Sequence, residues 1–587
     1  MILNLTPDQI QGKIDYIKKY SQASNSADGS LVDSNANVDT KNIGILEAEL
    51  YKPETIQINR EIVKQKLDSM FPGLGAQYIK DIESHFIYIH DETSLRPYCA
   101  SITLFPFLLN GTKPLGGTSK APKNLHSFCG SFINLVYQVA SGFAGAVATV
   151  EFLLYFDYFA RKTYGSAYIT TNKKEVEQAL QGVVYALNQP ASARGNQSVF
   201  WNISVLDKHY FEHLFGTFHF PDGSQAMYYG SFHDLQELFM EWFRKEREKE
   251  LLTYPVLTAS MLIDDEGVPV DTEFAEMCAE EMSKGLSFFV YESQSVDSLA
   301  SCCRLRNELS DNTFSYTLGA GGVSTGSIQV ITLNMNRLVQ QKDHTVSDIV
   351  KRVHKYLLAH RAVIEDYMNS GLLPAYTAGF INLDKQFLTV GINGMLEASE
   401  FLHGKPDIDF YRDTLKTIYL LNKEDGQSYK VKYNTEFVPA ENLGVKNAKW
   451  DNEDGLVVPR DCYNSYFFPV ESSEYSIIDK LDMHGSRTTA FLDGGAACHL
   501  NLAQLLTKKQ AYQLMCLAGK KGVNYWTFNC LMTICDDCGY IDVNTERQCT
   551  KCGSTNVGYA TRVIGYLKRI DSFSTARQKE AFKRHYT

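Results

Sequence analysis

Thr561-Arg562-Val563-Ile564-Gly565-Tyr566-Leu567 lies near the C-terminal end of a 587-residue sequence. Taken alone, the stretch reads as a strand entering a turn, because glycine adopts backbone conformations closed to other residues. Its neighbourhood makes it less ordinary. Just upstream, Cys535-Asp536-Asp537-Cys538 and Cys549-Thr550-Lys551-Cys552 are separated by ten residues, and each pair is followed by a glycine, Gly539 or Gly553. Two such knuckles can present four thiolates tetrahedrally, a geometry that zinc accepts without redox change. The expectation is a structural zinc ribbon, with an iron–sulfur cluster or two redox dithiols as the alternatives. A closed four-thiolate site has no open coordination position, so its metal would stabilise this segment and not catalyse. By itself a ribbon would also suit a nucleic-acid-binding module.

Composition narrows the field. The chain has 57 basic and 68 acidic residues, a net charge of −11, which argues against broad electrostatic binding to nucleic acid but leaves room for a local phosphate pocket. With 44% hydrophobic and 12% aromatic residues there is material for a sizeable core. The first twenty residues lack the apolar run and small-residue cleavage pattern of a signal peptide. No stretch approaches the roughly 18 uninterrupted apolar residues of a membrane span; the nearest, residues 143–156, is broken by Glu151. The expectation is a cytoplasmic protein without a membrane partner. Thirteen cysteines make an odd set for a disulfide framework. In a reducing compartment they are more often metal ligands or catalytic thiols.

Upstream of the ribbon the chain alternates helical patterns with short apolar runs, which indicates a mixed α/β architecture. Periodicity alone does not tell whether the sheet closes into a barrel. Ile10, Ile14 and Ile17 at helical spacing suggest a short amphipathic helix, and residues 21–42, rich in Ser, Asn, Asp and Gly, read as a connecting segment. Residues 234–252 place Leu235, Leu238, Phe239, Trp242 and Phe243 on one helical face, and their charged end reads as a solvated surface. Residues 288–291 and 327–333 read as buried strands. The core pattern breaks at Ile534. The organisation expected is 1–43 as an N-terminal helix and Ser/Asn-rich segment, 44–526 as the catalytic domain and 527–587 as a C-terminal domain.

The Gly565 string resembles the R-V-x-G-Y signature of glycyl-radical enzymes, which carry it near the C-terminus. The chemistry explains the residue type: loss of a Cα hydrogen leaves a radical shared between amide nitrogen and carbonyl, and a side chain would crowd the planar α-carbon. Members of that family often have Ser or Cys where this chain has Ile564. Ser301-Cys302-Cys303-Arg304-Leu305-Arg306-Asn307 resembles the thiyl loop of anaerobic (class III) ribonucleotide reductases, in which the Cys directly before Arg carries the radical; that match favours Cys303, with Cys302 as the weaker candidate. Tyr88-Ile89-His90-Asp91 followed by Cys99 resembles that family's H-D segment and the cysteine that meets substrate from the opposite face. Cys129, Cys278, Cys462, Cys498, Cys516 and Cys530 have no comparable setting and read as structural.

Further blocks resemble the same family, in its order: Ser34 to Asp39, Gln189-Pro190 with Arg194 to Ser198 and Asn202 to Ser204, Thr389 to Ala398, Asn434-Thr435-Glu436 with Pro439-Ala440-Glu441, and Leu492 to Gly495 with Cys498-His499. Pyruvate formate-lyase-like acyltransferases, the alternative, lack the ribbon before the glycine.

The resemblance implies a ten-stranded α/β barrel of the glycyl-radical enzyme and ribonucleotide reductase type, with a C-terminal zinc ribbon and glycyl-radical loop. It implies anaerobic reduction of ribonucleoside triphosphates, a stable radical on Gly565, and formate as reductant with Cys99, although thioredoxin-dependent members exist. It also implies a separate activase carrying S-adenosylmethionine and an iron–sulfur cluster, nucleotide effectors and a homodimer. Gly391 to Gly394 and Asn434 to Glu441 would line the substrate. Gly319-Ala320-Gly321-Gly322 matches no Walker or Rossmann fingerprint, and no ATP-cone-like block precedes the Ser/Asn-rich segment.

Overall fold

All six residues of Trp201–Leu206 and all ten of Thr325–Asn334 are buried, so these strands carry apolar or uncharged residues on both faces instead of an alternating pattern. They belong to a computed structural model that describes residues 5–38, 40–191, 195–226, 228–300, 306–308, 324–438 and 441–587. Eleven strands share the main sheet: β1 (Ile87–Ile89), β2 (Cys99–Ser101), β3 (Val147–Ala148), β4 (Trp201–Leu206), β5 (Val256–Leu262), β6 (Phe289–Ser293), β7 (Thr325–Asn334), β8 (Phe387–Asn393), β9 (Lys432–Phe437), β10 (Cys498–Asn501) and β11 (Tyr525–Asn529).

Ten of them follow one path, β9-β8-β7-β2-β3-β4-β5-β6-β11-β10, while β1 pairs with β7 off that path. Strands β2 to β6 run parallel, as do β7 to β9 and β10 with β11. The contacts β2/β7 and β6/β11 are antiparallel. The two ends of the path meet where Glu436 of β9 bridges Gly495 in parallel, with Phe437 N–H donating to Gly495 O at 3.1 Å and Gly494 N–H to Thr435 O at 2.8 Å. A Cβ on Gly494 would lie 2.5 Å from the Thr435 carbonyl oxygen, so this approach requires glycine. Two oppositely directed sets of five strands thus close into the ten-stranded α/β barrel that the resemblance implied.

Crossover helices Leu125–Ser141, Tyr229–Arg247, Val346–Asn369 and Ile408–Tyr429 each bury an apolar face. Two sequence readings are corrected. Helix Tyr229–Arg247 buries the expected apolar residues, but Glu246 and Arg247 at its charged end are buried as well. Arg247 donates to the carbonyls of Leu252 (3.0 Å) and Ser287 (2.8 Å), so it anchors the chain after the helix and is not solvated. Helix Pro7–Gln22 forms as expected but buries Tyr16 and Tyr20, and leaves Ile10, Ile14 and Ile17 exposed. The reason is that the following segment folds back on the tyrosine face, where Tyr16 OH donates to Gly29 O at 2.7 Å. Among the described residues, no helix is long and apolar enough to cross a membrane.

After β11 the chain forms a second, four-stranded antiparallel sheet: β12 (Met532–Cys535), β13 (Ile541–Asp542), β14 (Val557–Arg562) and β15 (Leu567–Arg569), in the order β13-β12-β14-β15. Its own small core contains Met532, Ile534, Ile541, Ala560 and Leu567. The connection between β14 and β15 behaves differently: Val563, Ile564 and Tyr566 belong to the main barrel core. Helix Thr575–Lys583 follows, and the last residues return to the barrel, where Thr587 N–H donates to Asn501 O and Ala503 N–H to Thr587 O, both at 3.0 Å.

Candidate active site

Gly565 sits buried in the four residues between β14 and β15, where Arg562 pairs with Leu567 and Thr561 with Lys568. The flanking strands belong to the small sheet while the tip packs into the barrel, which delivers one glycine to the barrel core. Two guanidinium groups hold the tip. Arg584 donates from Nη1 to Arg562 O at 3.2 Å and from Nη2 to Val563 O at 2.6 Å, and is itself paired with Glu580 at 2.8 Å. Arg562 donates from Nη1 to Gly565 O at 3.3 Å, and from Nε and Nη2 to the Oγ and carbonyl of Ser287 at 2.9 Å each. Ile564, the departure from the family pattern, is 5% exposed and fills core space.

Cys99 is buried in β2, opposite Ser327 of β7. Ser327 Oγ lies 2.7 Å from Thr389 Oγ1 on β8, and Thr389 pairs with Asn434 of β9. In paired strands, facing residues share a side of the sheet, so Cys99, Ser327, Thr389 and Asn434 form one polar row. Cys99 and Ala146 form a small buried cluster against which Tyr98, Phe200 and Phe387 pack. Phe200 also meets the Tyr566 ring edge-on, with centroids 5.5 Å apart. Phe200 therefore borders both the Cys99–Ala146 cluster and Tyr566, the residue next to Gly565. Cys302, Cys303 and Gly319 to Gly322 lie outside the described residues, as do Asp39, Arg194, Pro439 and Ala440. The strands Ser298–Ala300 and Arg306–Glu308, which flank Cys303 in sequence, pair antiparallel.

The sequence blocks converge on the same place. Asn35 Nδ2 donates to Gln197 Oε1 and Asn37 Nδ2 to Ser198 O, both at 2.9 Å. Ala36 N–H donates to the Glu441 carboxylate at 2.8 Å, and Tyr566 OH reaches its other oxygen at 2.9 Å. Burial pushes the Glu441 carboxyl up to about 7, against the lowering effect of those donors. His90 contacts Thr332 Oγ1 at 2.8 Å, and burial pulls its imidazole down to about 4, so it is neutral near pH 7. Gly394 stands at the N-cap of helix Met395–His403 with φ 73°, a left-handed backbone that favours glycine, and a Cβ there would lie 3.1 Å from the Tyr463 ring.

The four cysteines of the two knuckles come together. Their sulfurs all lie within 4.8 Å of one another, with Cys535–Cys552 at 3.6 Å and Cys538–Cys549 at 3.7 Å. Tetrahedral thiolates on zinc would stand about 3.8 Å apart, given Zn–S bonds near 2.3 Å. Gly539 and Gly553, with φ 70° and 76°, make the turns that each knuckle needs. The donor set and its spacing suit a structural metal such as zinc. Among the described residues, this is the one cluster of three or more metal-ligating side chains.

The sequence profile described as "Anaerobic ribonucleoside-triphosphate reductase" matches residues 48–586. The chain belongs to this reductase family. That membership decides against the acyltransferase alternative. Of solved structures, an anaerobic ribonucleotide reductase is similar to this one at 26% identity and TM-score 0.86, over 99% of this chain and 93% of that one. The anaerobic ribonucleotide reductase from Thermotoga maritima in complex with dATP and CTP is similar at 26% identity and TM-score 0.82, over 99% of this chain and 100% of that one. A glycyl radical enzyme from Archaeoglobus fulgidus shares the fold, with 9% identity and TM-score 0.52 over 89% of this chain and 84% of that one. No curated protein matches in a sequence search.

In this reductase, sequence reading did not anticipate the supporting residues around the glycine. Phe200, Ser287, Arg577 and Arg584 carried no local pattern. Arg562 is a letter of the Gly565 motif whose role the motif does not give, and Arg577, which donates to Glu441 O at 2.6 Å, belongs to no motif. The cysteines read as structural are buried or partly buried.

Proposed function

We propose that the chain reduces ribonucleoside triphosphates to 2′-deoxyribonucleoside triphosphates by radical chemistry, with Gly565, Cys303 and Cys99 as the reacting protein groups. The observation that carries this reading is the seating of the Gly565 tip in the barrel core, where Phe200 borders both Tyr566 and the Cys99–Ala146 cluster. Gly565 would hold the stored radical after a separate activase, bearing S-adenosylmethionine and an iron–sulfur cluster, removes one Cα hydrogen. The Cys303 thiol would then return a hydrogen atom to Gly565, and its sulfur would take the 3′-hydrogen of the ribose. With that neighbouring radical in place, the 2′-hydroxyl leaves as water. Formate would supply both reducing electrons and leave as carbon dioxide, with Cys99 relaying hydrogen and returning to its thiol, while Cys303 gives the 3′-hydrogen back to the ribose. Barrel enclosure keeps water and stray hydrogen donors from the intermediate.

Cys535, Cys538, Cys549 and Cys552 would hold zinc, which supplies rigidity to the sheet that presents Gly565. The Thermotoga maritima reductase, whose structures contain dATP with CTP and dATP in a specificity site, supports two nucleotide roles here as well, substrate and effector; the chain would act as a homodimer, as the family resemblance implies. The test is anaerobic. After activation, electron paramagnetic resonance should show a glycyl signal, and CTP with formate should give dCTP. A glycyl signal without nucleotide reduction would redirect the chemistry to another substrate; no signal, with Gly565→Ala behaving like wild type, would end the proposal.

A further inference from the structure

Arg562 is 1% exposed, and among the described residues no carboxylate pairs with it. Its donors go to Ser287 Oγ, Ser287 O and Gly565 O, and its Cζ stands 4.8 Å from the Phe289 ring centroid. A second buried arginine, Arg247, donates to the same Ser287 carbonyl at 2.8 Å and lies over the Phe243 ring, and among the described residues no carboxylate pairs with it either. Burying two like charges around one carbonyl is unfavourable. Loop anchoring alone needs only neutral donors, which the Asn529 amide already offers to Arg562 O at 3.4 Å. Burial lowers the Arg562 guanidinium to about 10, which still leaves it charged at neutral pH.

From this geometry we infer that Arg562 is a positioning residue for the Gly565 radical, donating a charge-assisted hydrogen bond to the carbonyl over which that radical is delocalised. The inference rests on the proposed function above. A radical on an α-carbon is stabilised between an electron-donating N–H and an electron-accepting carbonyl. A cationic donor on the carbonyl oxygen strengthens the accepting side, and more so in a low-dielectric core. The same contact fixes the Gly565 peptide against Ser287, a residue of the barrel, so orientation and radical energy depend on one side chain. Arg584 clamps the carbonyls of residues 562 and 563 but is not bonded to that of Gly565, and so serves as the internal comparison.

The experiment uses the full chain, activated anaerobically. In wild type carrying 15N-arginine, electron–nuclear double resonance should detect an arginine nitrogen coupled to the glycyl radical. Arg562→Gln should lower the spins retained per chain by roughly tenfold, the scale of losing one charged hydrogen bond, and should alter the Cα-hydrogen splitting. Arg562→Lys should recover part of both. Arg584→Gln should lower the yield with the splitting unchanged. A wild-type radical without arginine coupling overturns the inference even where the variants fail to fold, as does Arg562→Gln with wild-type splitting and yield. Wild type without any glycyl signal would instead overturn the functional reading beneath it.

Discussion

The Tyr566 hydroxyl donates to Glu441 Oε2 across 2.9 Å, and the same carboxylate accepts the backbone N–H of Ala36. The residue beside Gly565 is thereby tied to the N-terminal segment and to the chain leaving β9, which are 405 positions apart in sequence. Arg577 closes the arrangement by donating to the Glu441 carbonyl.

This relationship predicts a pH dependence. Burial holds folded Glu441 up to about 7, above the ordinary 4.5. Between those values the folded chain keeps a proton that the unfolded chain has released, so this group's contribution to stability falls as pH rises from about 4.5 to about 7. Glu441→Gln cannot titrate. Thermal melts should show the variant gaining on wild type across that window and the difference levelling off above it; a constant difference would reject the assignment.

The proposed roles of the thiols separate storage from use. Cys303→Ser and Cys99→Ser should each accept activation and display the glycyl signal, because neither is the storage site. Formate-dependent CTP reduction should fall by roughly a thousandfold or more in both. Loss of the signal itself in Cys99→Ser, with the fold intact by melting, would contradict this division.

Oxygen offers a chemical readout. Activated wild type exposed to air should be cut at Gly565, and mass spectrometry should find a C-terminal piece beginning at that residue or just after it. Gly565→Ala treated in the same way should stay whole. A cut elsewhere in the chain would place the radical elsewhere.

Metal removal should act on one region first. Elemental analysis should give about one zinc per chain, as one four-cysteine site requires. Chelation, or Cys538→Ser, should raise amide hydrogen exchange in β12 to β15 while β2 to β9 stay protected, because the small sheet has its own core of only a few residues. The glycyl yield should drop with it. A uniform loss of protection across the barrel would show that the metal supports more than this sheet.

Local chemistry was legible from sequence. The Cys-x-x-Cys pairs with their following glycines became a four-sulfur cluster, and the buried runs at residues 288–291 and 327–333 became β6 and β7. Reading failed where two surfaces compete to be buried. The first helix could have turned Ile10, Ile14 and Ile17 inward; it buries Tyr16 and Tyr20 because the segment after it supplies a carbonyl for the Tyr16 hydroxyl. Arg247 looked like a solvated charge, yet backbone carbonyls 5 and 40 positions away were waiting for it. No window of neighbouring residues contains that information.

By itself, the sequence determined which groups are present and which local geometry each can adopt. Four cysteines at knuckle spacing, a glycine before Tyr566 and blocks in family order are properties of short segments, and short segments are governed by bond geometry and nearest neighbours. Tertiary structure alone decided what those groups face. Gly494 had to be small so that β9 could meet the chain entering β10 and close the barrel. The small sheet had to surrender its hairpin tip to the barrel core before Tyr566 could reach Phe200 and Glu441. Contacts of this kind depend on surfaces hundreds of residues apart packing without voids, and they emerge only when the whole chain has folded.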